Sequence, residues 1–431
     1  MGVTAIFVVL TMLAGFDVVR VGAVANDNDD SNVLPPGHMK PFGAHRPAEG
    51  DVDSLDAFPD PKTFFEKYLK IGKPVLFRGA AKKIPAFKLW TDKYLAEKYG
   101  DLTIDIEHGK KEDRSHDMNA VPFRKFLDSY KENDVYMVQN IQDPMKGDLS
   151  MLKPLMCGGF NLEIAVMWFS SGNTKSVLHT DAIENINCIF DGYKDIVFVD
   201  KEYNEVMERV GWRKDGSFSE MDVEKVDMKQ YSHLAEVPWW RARMEKGDCL
   251  YIPLLWYHTV ASSKSRNLAC NLWFNPLLRF NETDCEQHKQ PLPDYESLAK
   301  YKFSNDPLTK ALIIDNVRYH AFEKLRDMEE IRLSDVIPVW KSEVLTETDI
   351  TKVFTQFDDN GDGVLSWDEV MKADIIAIVR QVPNFVHDAE SHYAENEDKE
   401  EGEEGEEEGA GEVDGEDVEE GGGNEAGKDE L

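Results

Sequence analysis

Between Val135 and Phe274 the chain breaks into short runs rich in β-branched and aromatic residues: Val135 to Gln139, Leu162 to Phe169, Ile183 to Phe190, Ile196 to Asp200, Cys249 to Pro253 and Leu268 to Phe274. Runs of this kind, bounded by turn residues, read as strands, and many of them in succession restrict the chain to a β-barrel or sandwich. The preceding stretch has a different texture. Phe64 to Leu69, Leu89 to Tyr99 and Pro122 to Tyr130 carry helical patterns, while Pro74 to Arg78 and Leu102 to Glu107 look like strands. An α/β preface therefore leads into a mainly β body. With 42% hydrophobic residues among 431, the chain can bury a large core.

The formal charge is −33, of which −19 falls between Asp388 and Leu431. The body is thus only mildly acidic, and the total charge argues against nucleic acid or an anionic membrane as the main partner. The Glu- and Gly-rich stretch 388–431 has the composition of a disordered acidic tail.

At the other end, the apolar run Val3 to Phe16 followed by Ala23-Val24-Ala25 reads as a signal peptide over 1–25, with a proline-rich linker at 26–55. No apolar run approaches the roughly 20 residues that span a bilayer, so no membrane span is expected in the mature chain. The last four residues, Lys428-Asp429-Glu430-Leu431, spell the endoplasmic reticulum retrieval signal read by the KDEL receptor. Both addresses predict the endoplasmic reticulum lumen. That compartment is oxidising, so Cys157, Cys188, Cys249, Cys270 and Cys285 can pair, but an odd number leaves at least one thiol free or paired between chains.

His179-Thr180-Asp181 puts an imidazole and a carboxylate at i and i+2, which on a strand share a face about 7 Å apart at the Cα atoms. Gly247-Asp248-Cys249-Leu250-Tyr251-Ile252-Pro253 reads as a turn feeding a buried strand, after which Trp256-Tyr257-His258 delivers a second histidine. Two histidines and one carboxylate on neighbouring strands make a facial triad, which leaves open positions on Fe(II) for substrates.

With Asn271-Leu272-Trp273-Phe274, these motifs resemble the JmjC (cupin-like) 2-oxoglutarate oxygenases, most nearly their small protein-hydroxylase branch, over Asp56 to Arg279. The resemblance implies a double-stranded β-helix, a jelly-roll, cupin-like barrel, within 56–290. It also implies Fe(II) held by His179, Asp181 and His258, with 2-oxoglutarate as co-substrate. Lys194 matches the lysine that pairs with the distal carboxylate of 2-oxoglutarate, and Ser176, Tyr136 and Asn271 match positions that hydrogen-bond it. The implied chemistry is oxidative decarboxylation of 2-oxoglutarate to succinate coupled to hydroxylation of an aliphatic C–H.

The sequence gives Lys194 independent support. Asp191-Gly192 is a two-residue hairpin signal, which makes Phe190 face Tyr193 and Ile189 face Lys194. Lys194 then shares a face with Ile189, Asn187 and Asn185. Between Asp181 and Glu184 the chain is expected to cross from one sheet to another.

Downstream, 291–345 reads as a helical extension, with Asp306 as N-cap, Pro307 at the first helical position and apolar Leu308, Leu312, Val317, Phe322 and Leu325. Asp358 to Glu369, inside a unit at 346–385, fits the twelve-residue EF-hand loop. Asp358, Asn360, Asp362 and Ser366 supply side-chain oxygens for Ca²⁺, Val364 its carbonyl and Glu369 both carboxylate oxygens, while Gly363 permits the bend. Helices are expected over Thr348 to Phe357 and Asp368 to Arg380. EF-hands usually pair, and the sequence shows no second loop, so the hand is solitary or pairs across a homodimer formed through the helices after the barrel.

The expected function is an endoplasmic reticulum-luminal Fe(II)/2-oxoglutarate protein hydroxylase with a calcium-binding appendage and a protein substrate. The alternative is a non-enzymatic calcium-binding luminal protein on a degenerate oxygenase barrel. Histone lysine demethylation lies within the resembled family's range but conflicts with the luminal address.

Overall fold

A computed structural model describes residues 34–109, 111–112, 119–133, 135–213, 218–303, 317–342 and 344–385. The leader 1–25, the start of the linker, the helix start at Asp306 to Leu312 and the tail 388–431 with its terminal Lys428 to Leu431 lie outside the described residues.

In chain order the strands are β1 (Gly50–Asp51), β2 (Asp53–Leu55), β3 (Val75–Phe77), β4 (Thr103–His108), β5 (Lys111–Glu112), β6 (Asn119–Pro122), β7 (Val135–Asn140) and β8 (Leu162–Ser170). They continue with β9 (Lys175–Ser176), β10 (Glu184–Asp191), β11 (Lys194–Val199), β12 (Trp240–Met244), β13 (Cys249–Ile252), β14 (Tyr257–Ser262) and β15 (Asn267–Phe274). Two sheets result, one ordered β2-β3-β13-β10-β15-β8-β7-β4-β6 and the other β1-β12-β11-β14-β9-β5.

Side-chain alternation along these strands separates three apolar layers. Val166, Ile189, Leu250 and Ala269 of the larger sheet meet Ile196, Phe198, Ala242 and Met244 of the smaller in one buried cluster, the interior of a barrel-like sandwich. The alternate residues of the larger sheet, among them Met167, Ile186, Phe190 and Leu272, pack outward against the preface through Phe64, Leu95 and Phe126. The outer face of the smaller sheet, through Val199 and Tyr257, is covered by Phe42, Met207, Met228 and Leu234.

One expected pairing is corrected. β10 and β11 do not form a hairpin, because β10 lies between β13 and β15 while β11 lies between β12 and β14 in the other sheet. Lys194 therefore pairs with Met244 and Ser262 rather than with Ile189. Asp191-Gly192 is the crossing point, and glycine is required there. Its φ is +76°, and a Cβ would meet the Ser263 Oγ at 2.5 Å and the Asn267 Nδ2 at 2.6 Å. The crossing after Asp181 is as expected, since β9 and β10 belong to different sheets.

Cys157 is bonded to Cys285, Cys188 to Cys249 across the β10–β13 pair, and Cys270 is a buried free thiol. Burial pushes the Cys270 thiol up to about 12, so it stays protonated and unreactive.

Beyond the sheets, the helix Glu347–Phe357 starts in a capping box between Thr346 and Asp349, and the helix Trp367–Lys372 in another between Ser366 and Glu369. Between them, β17 (Val364–Leu365) pairs antiparallel with β16 (Ile331–Arg332), which precedes the helix Leu333–Trp340. The loop strand thus finds its partner within the chain. The single helix expected over Asp368 to Arg380 is two, ending at Lys372 and resuming at Ile375 behind Asp374, whose carboxylate accepts from the Ala377 amide at 3.0 Å. Phe322, Trp340, Val353, Phe357, Leu365, Val370 and Ile378 fill a separate core under these helices.

Candidate functional site

His179 and His258 are joined by two reciprocal backbone hydrogen bonds, the His179 amide to the His258 carbonyl at 3.1 Å and the reverse at 2.9 Å. This bridge brings the two rings to 4.1 Å between centroids. In each residue the ring Nδ1 lies against the carbonyl two residues earlier, Val177 at 2.9 Å and Trp256 at 2.8 Å. Those acceptors fix the proton on Nδ1, so the Nε2 lone pair is the one presented to a metal.

Asp181 completes the group. One ligand atom from each of His179, Asp181 and His258 lies within 4.8 Å of the others, the Asp181 Oδ2 standing 3.9 Å from the His258 Nε2. Asp181 does not reach the site as the same-face neighbour of His179 on a strand. Neither residue is in one, and Asp181 arrives on the crossover that leads into β10. Its carboxylate is oriented by the Asn185 side-chain amide, 3.2 Å away. Burial, and then the neighbouring His179, push the His258 imidazole down to about 4, so it is neutral, the metal-binding form, at pH 7.

Lys194 is only 7% exposed, and the alternation that turns Ile196 and Phe198 into the barrel turns it in as well. Its ammonium stands 5.8 Å from the Trp168 ring centroid, within cation–π range. Asn185 and Asn187 share the inward parity of Ile189, so the expected face is right although the hairpin argument for it is not. The Asn187 side-chain amide donates to the Asn271 Oδ1, and Tyr136 packs on Trp168 at 5.9 Å between centroids. The Ser176 hydroxyl accepts from the Val260 amide at 2.8 Å and retains its own hydrogen to donate.

Among the described residues, the Trp168 Nε1 and the Asn185 and Asn187 Oδ1 atoms are buried without a hydrogen-bond partner. Each such atom costs on the order of 1–3 kcal/mol unless a polar guest or ordered water meets it. A cation, the Trp168 Nε1 donor and a carboxylate-plus-imidazole metal set within one barrel fit a small dicarboxylate beside a divalent metal, while the two Oδ1 acceptors call for a donor such as ordered water. Two neighbours of the site had no sequence signal. Phe218 stacks on His179 at 5.6 Å from an irregular segment, and Leu255 donates its amide to the Asp181 carbonyl at 2.9 Å with φ at +63°.

Comparison with known proteins agrees with this geometry. The chain is similar to Jumonji C domain-containing protein 5 of Drosophila melanogaster, 26% identical over 245 residues that make up 52% of this chain and 60% of the relative. It is 25% identical over 227 residues to lysine-specific demethylase JMJ30 of Arabidopsis thaliana, covering 49% of this chain and 52% of that protein. It is also 23% identical over 278 residues to the human bifunctional peptidase and (3S)-lysyl hydroxylase JMJD7, covering 52% of this chain and 84% of that one. The chain thus spans little more than half the length of the first two. The family model described as a cupin-like domain matches residues 61–280, which hold every strand from β3 to β15 together with His179, Asp181, Lys194 and His258, and the chain belongs to that family.

Proposed function

We propose that this chain is an Fe(II)/2-oxoglutarate-dependent protein hydroxylase of the endoplasmic reticulum lumen that also binds Ca²⁺ through an EF-hand. The observation that carries the reading is the convergence of His179, Asp181 and His258 in the barrel that also encloses Lys194. When bound, iron with 2-oxoglutarate and dioxygen supplies oxidative decarboxylation to succinate and hydroxylation of an aliphatic C–H. The rest is the work of this chain. The two imidazoles hold their lone pairs inward through the Val177 and Trp256 carbonyls, and Asn185 steers the Asp181 carboxylate. Lys194 neutralises the distal carboxylate of the co-substrate, with Ser176, Tyr136 and Asn271 as further hydrogen-bonding groups. Ile196, Phe198 and Ala269 line the interior with apolar surface that excludes water.

The test is direct. Purified protein given Fe(II), ascorbate and 2-oxoglutarate should release succinate, and His179→Ala should not. Equal release from both would sink the reading, and no release from either would favour the alternative, a calcium-binding luminal protein on a retired barrel. The demethylase reading, suggested by the name of the plant relative, fits the same iron chemistry. The Cys157–Cys285 and Cys188–Cys249 disulfides favour the luminal reading, because nuclear and cytosolic thiols are kept reduced.

The luminal address itself rests on Val3 to Ala25 and Lys428 to Leu431. Appending one residue after Leu431 should send the protein into the medium, read by immunoblot, whereas continued retention would refute the retrieval claim.

The calcium reading rests on the loop. The Asp358 carboxylate accepts from the amides of Asp362 at 3.1 Å and Gly363 at 2.9 Å, and Asn360 accepts from Asp362 at 2.8 Å. The Glu369 carboxylate reaches back to the Asn360 amide at 3.3 Å. These bonds tie the last position of the loop back to its first turn, with Gly361 and Gly363 at positive φ. Asp358, Asn360, Asp362, Val364, Ser366 and Glu369 would hold the ion. Glu369→Gln removes a charged bidentate ligand and should weaken calcium binding about tenfold or more in calorimetry. Unchanged affinity would locate the calcium elsewhere.

A further inference from the structure

The four residues that join β13 to β14, Pro253-Leu254-Leu255-Trp256, touch both candidate metal sites. At one end, the Leu254 side chain, 2% exposed, is buried in the same apolar cluster as Phe322, Phe357, Leu365 and Val370, the core under the calcium-type loop. Leu365 belongs to the loop itself and is paired with Ile331. At the other end, the Leu255 amide donates to the Asp181 carbonyl at 2.9 Å, and the Trp256 carbonyl accepts from the His258 Nδ1 at 2.8 Å. Two of the three iron-type ligands are therefore set by neighbours of Leu254.

The turn is also fixed against drift. The Leu254 amide donates to the Glu184 carboxylate at 3.0 Å, the same oxygen that accepts from the Tyr251 hydroxyl at 2.7 Å, and Glu184 opens β10 three residues after Asp181. Leu255 sits at φ +63°, a region that a leucine occupies only where its surroundings over-determine it. The constraints here are the buried Leu254 side chain on one side and the hydrogen bond from the Leu255 amide to the Asp181 carbonyl on the other.

From this geometry, and resting on the reading of the two metal sites above, we propose that Leu254 and Leu255 are positioning residues that couple them, so that a cation held at Asp358 to Glu369 tightens metal binding at His179, Asp181 and His258. An ion in the loop fixes Leu365, the helix end at Phe357 and the short helix that carries Val370. Those residues share one buried core with Leu254, and that core holds the turn that orients Asp181 and His258. Coupling of this kind is reciprocal, since each ion must change the other's affinity by the same factor.

The experiment titrates the full chain with Co(II), whose visible spectrum reports ligation at the iron-type site, in the presence of Ca²⁺ and in its absence. Calcium should raise Co(II) affinity by about fivefold or more, and Co(II) should raise calcium affinity equally. At a calcium concentration that fills the wild-type loop but not the weakened one, Glu369→Gln should remove the effect although the acidic tail is intact. Leu254→Ala should bring the factor close to one while both ions still bind, and the volume-conserving Leu254→Met should restore it, which a purely structural role would not do. If Leu254→Ala does not fold, the wild-type and Leu254→Met titrations decide. Both ions binding to wild type with independent affinities would overturn the coupling alone and leave the site assignments standing. Persistence of the calcium effect in Glu369→Gln would overturn it by tracing the effect to another site. Failure of wild type to bind either ion would overturn the site reading and the coupling with it.

Discussion

Substituting His258 by alanine should empty the iron site and abolish 2-oxoglutarate turnover in a protein that still folds. The residue is one of three side chains whose ligand atoms converge, so its loss leaves an incomplete set. Removal of a mere supporting group around a metal ligand already costs about 10- to 100-fold in affinity, so loss of the ligand itself should exceed about 100-fold. The change also takes away the donor to the Trp256 carbonyl, and some loss of stability accompanies it. Glutamine at this position fills more of the volume and separates the two effects, because it should recover stability without recovering metal. Metal content after desalting, read beside a thermal melt, makes the check. Full iron content in His258→Ala would remove the residue from the site.

Lys194→Ala should leave iron binding intact while raising the 2-oxoglutarate requirement by one to a few orders of magnitude. A dicarboxylate that enters the interior between Trp168, Ile196 and Phe198 needs a cation, because stripping one partner from a buried charge pair costs about 2–5 kcal/mol. Arginine should rescue partially at best, since its planar fork needs more room than an ammonium in a cluster already filled by Trp168 and Met244. Turnover measured against 2-oxoglutarate concentration decides it. Wild-type dependence in the alanine variant would make Lys194 a structural residue.

Much of the barrel was legible because strand identity is local. β8 and β15 follow from runs of branched and aromatic residues whose ends agree with the structure to within a residue. Sheet membership is not local. Asp191-Gly192 has the chemistry of a hairpin, yet the chain passes there into the opposite sheet, with Ser263, Arg266 and Asn267 occupying the space a side chain at Gly192 would need. The inward face of Lys194 emerged anyway, since the interior is bounded by both sheets and the residues flanking the crossing point into it from either side.

The helix after the loop was misread for the opposite reason. Its apolar periodicity resumes at Ile375 and Ile378 after Val370, and the capping role of Asp374 outweighs that pattern. The intrachain partner of β17 had no sequence signal at all, because two residues at Ile331–Arg332 are too short to stand out. At the site, the motifs and the family resemblance they carry pointed to His179, Asp181 and His258, although the same-strand geometry expected of the first two does not hold, while the backbone bridge between the two histidines and the turn at Leu255 follow from tertiary packing alone.

The most direct test of the central claim follows oxygen. Wild-type protein and His179→Ala are incubated with Fe(II), 2-oxoglutarate, a luminal protein extract and isotopically labelled dioxygen, and the succinate and the proteins are weighed by mass spectrometry. The account predicts one labelled atom in succinate and one in a protein side chain, both lost in His179→Ala. Unlabelled succinate, or label that persists in His179→Ala, would contradict it.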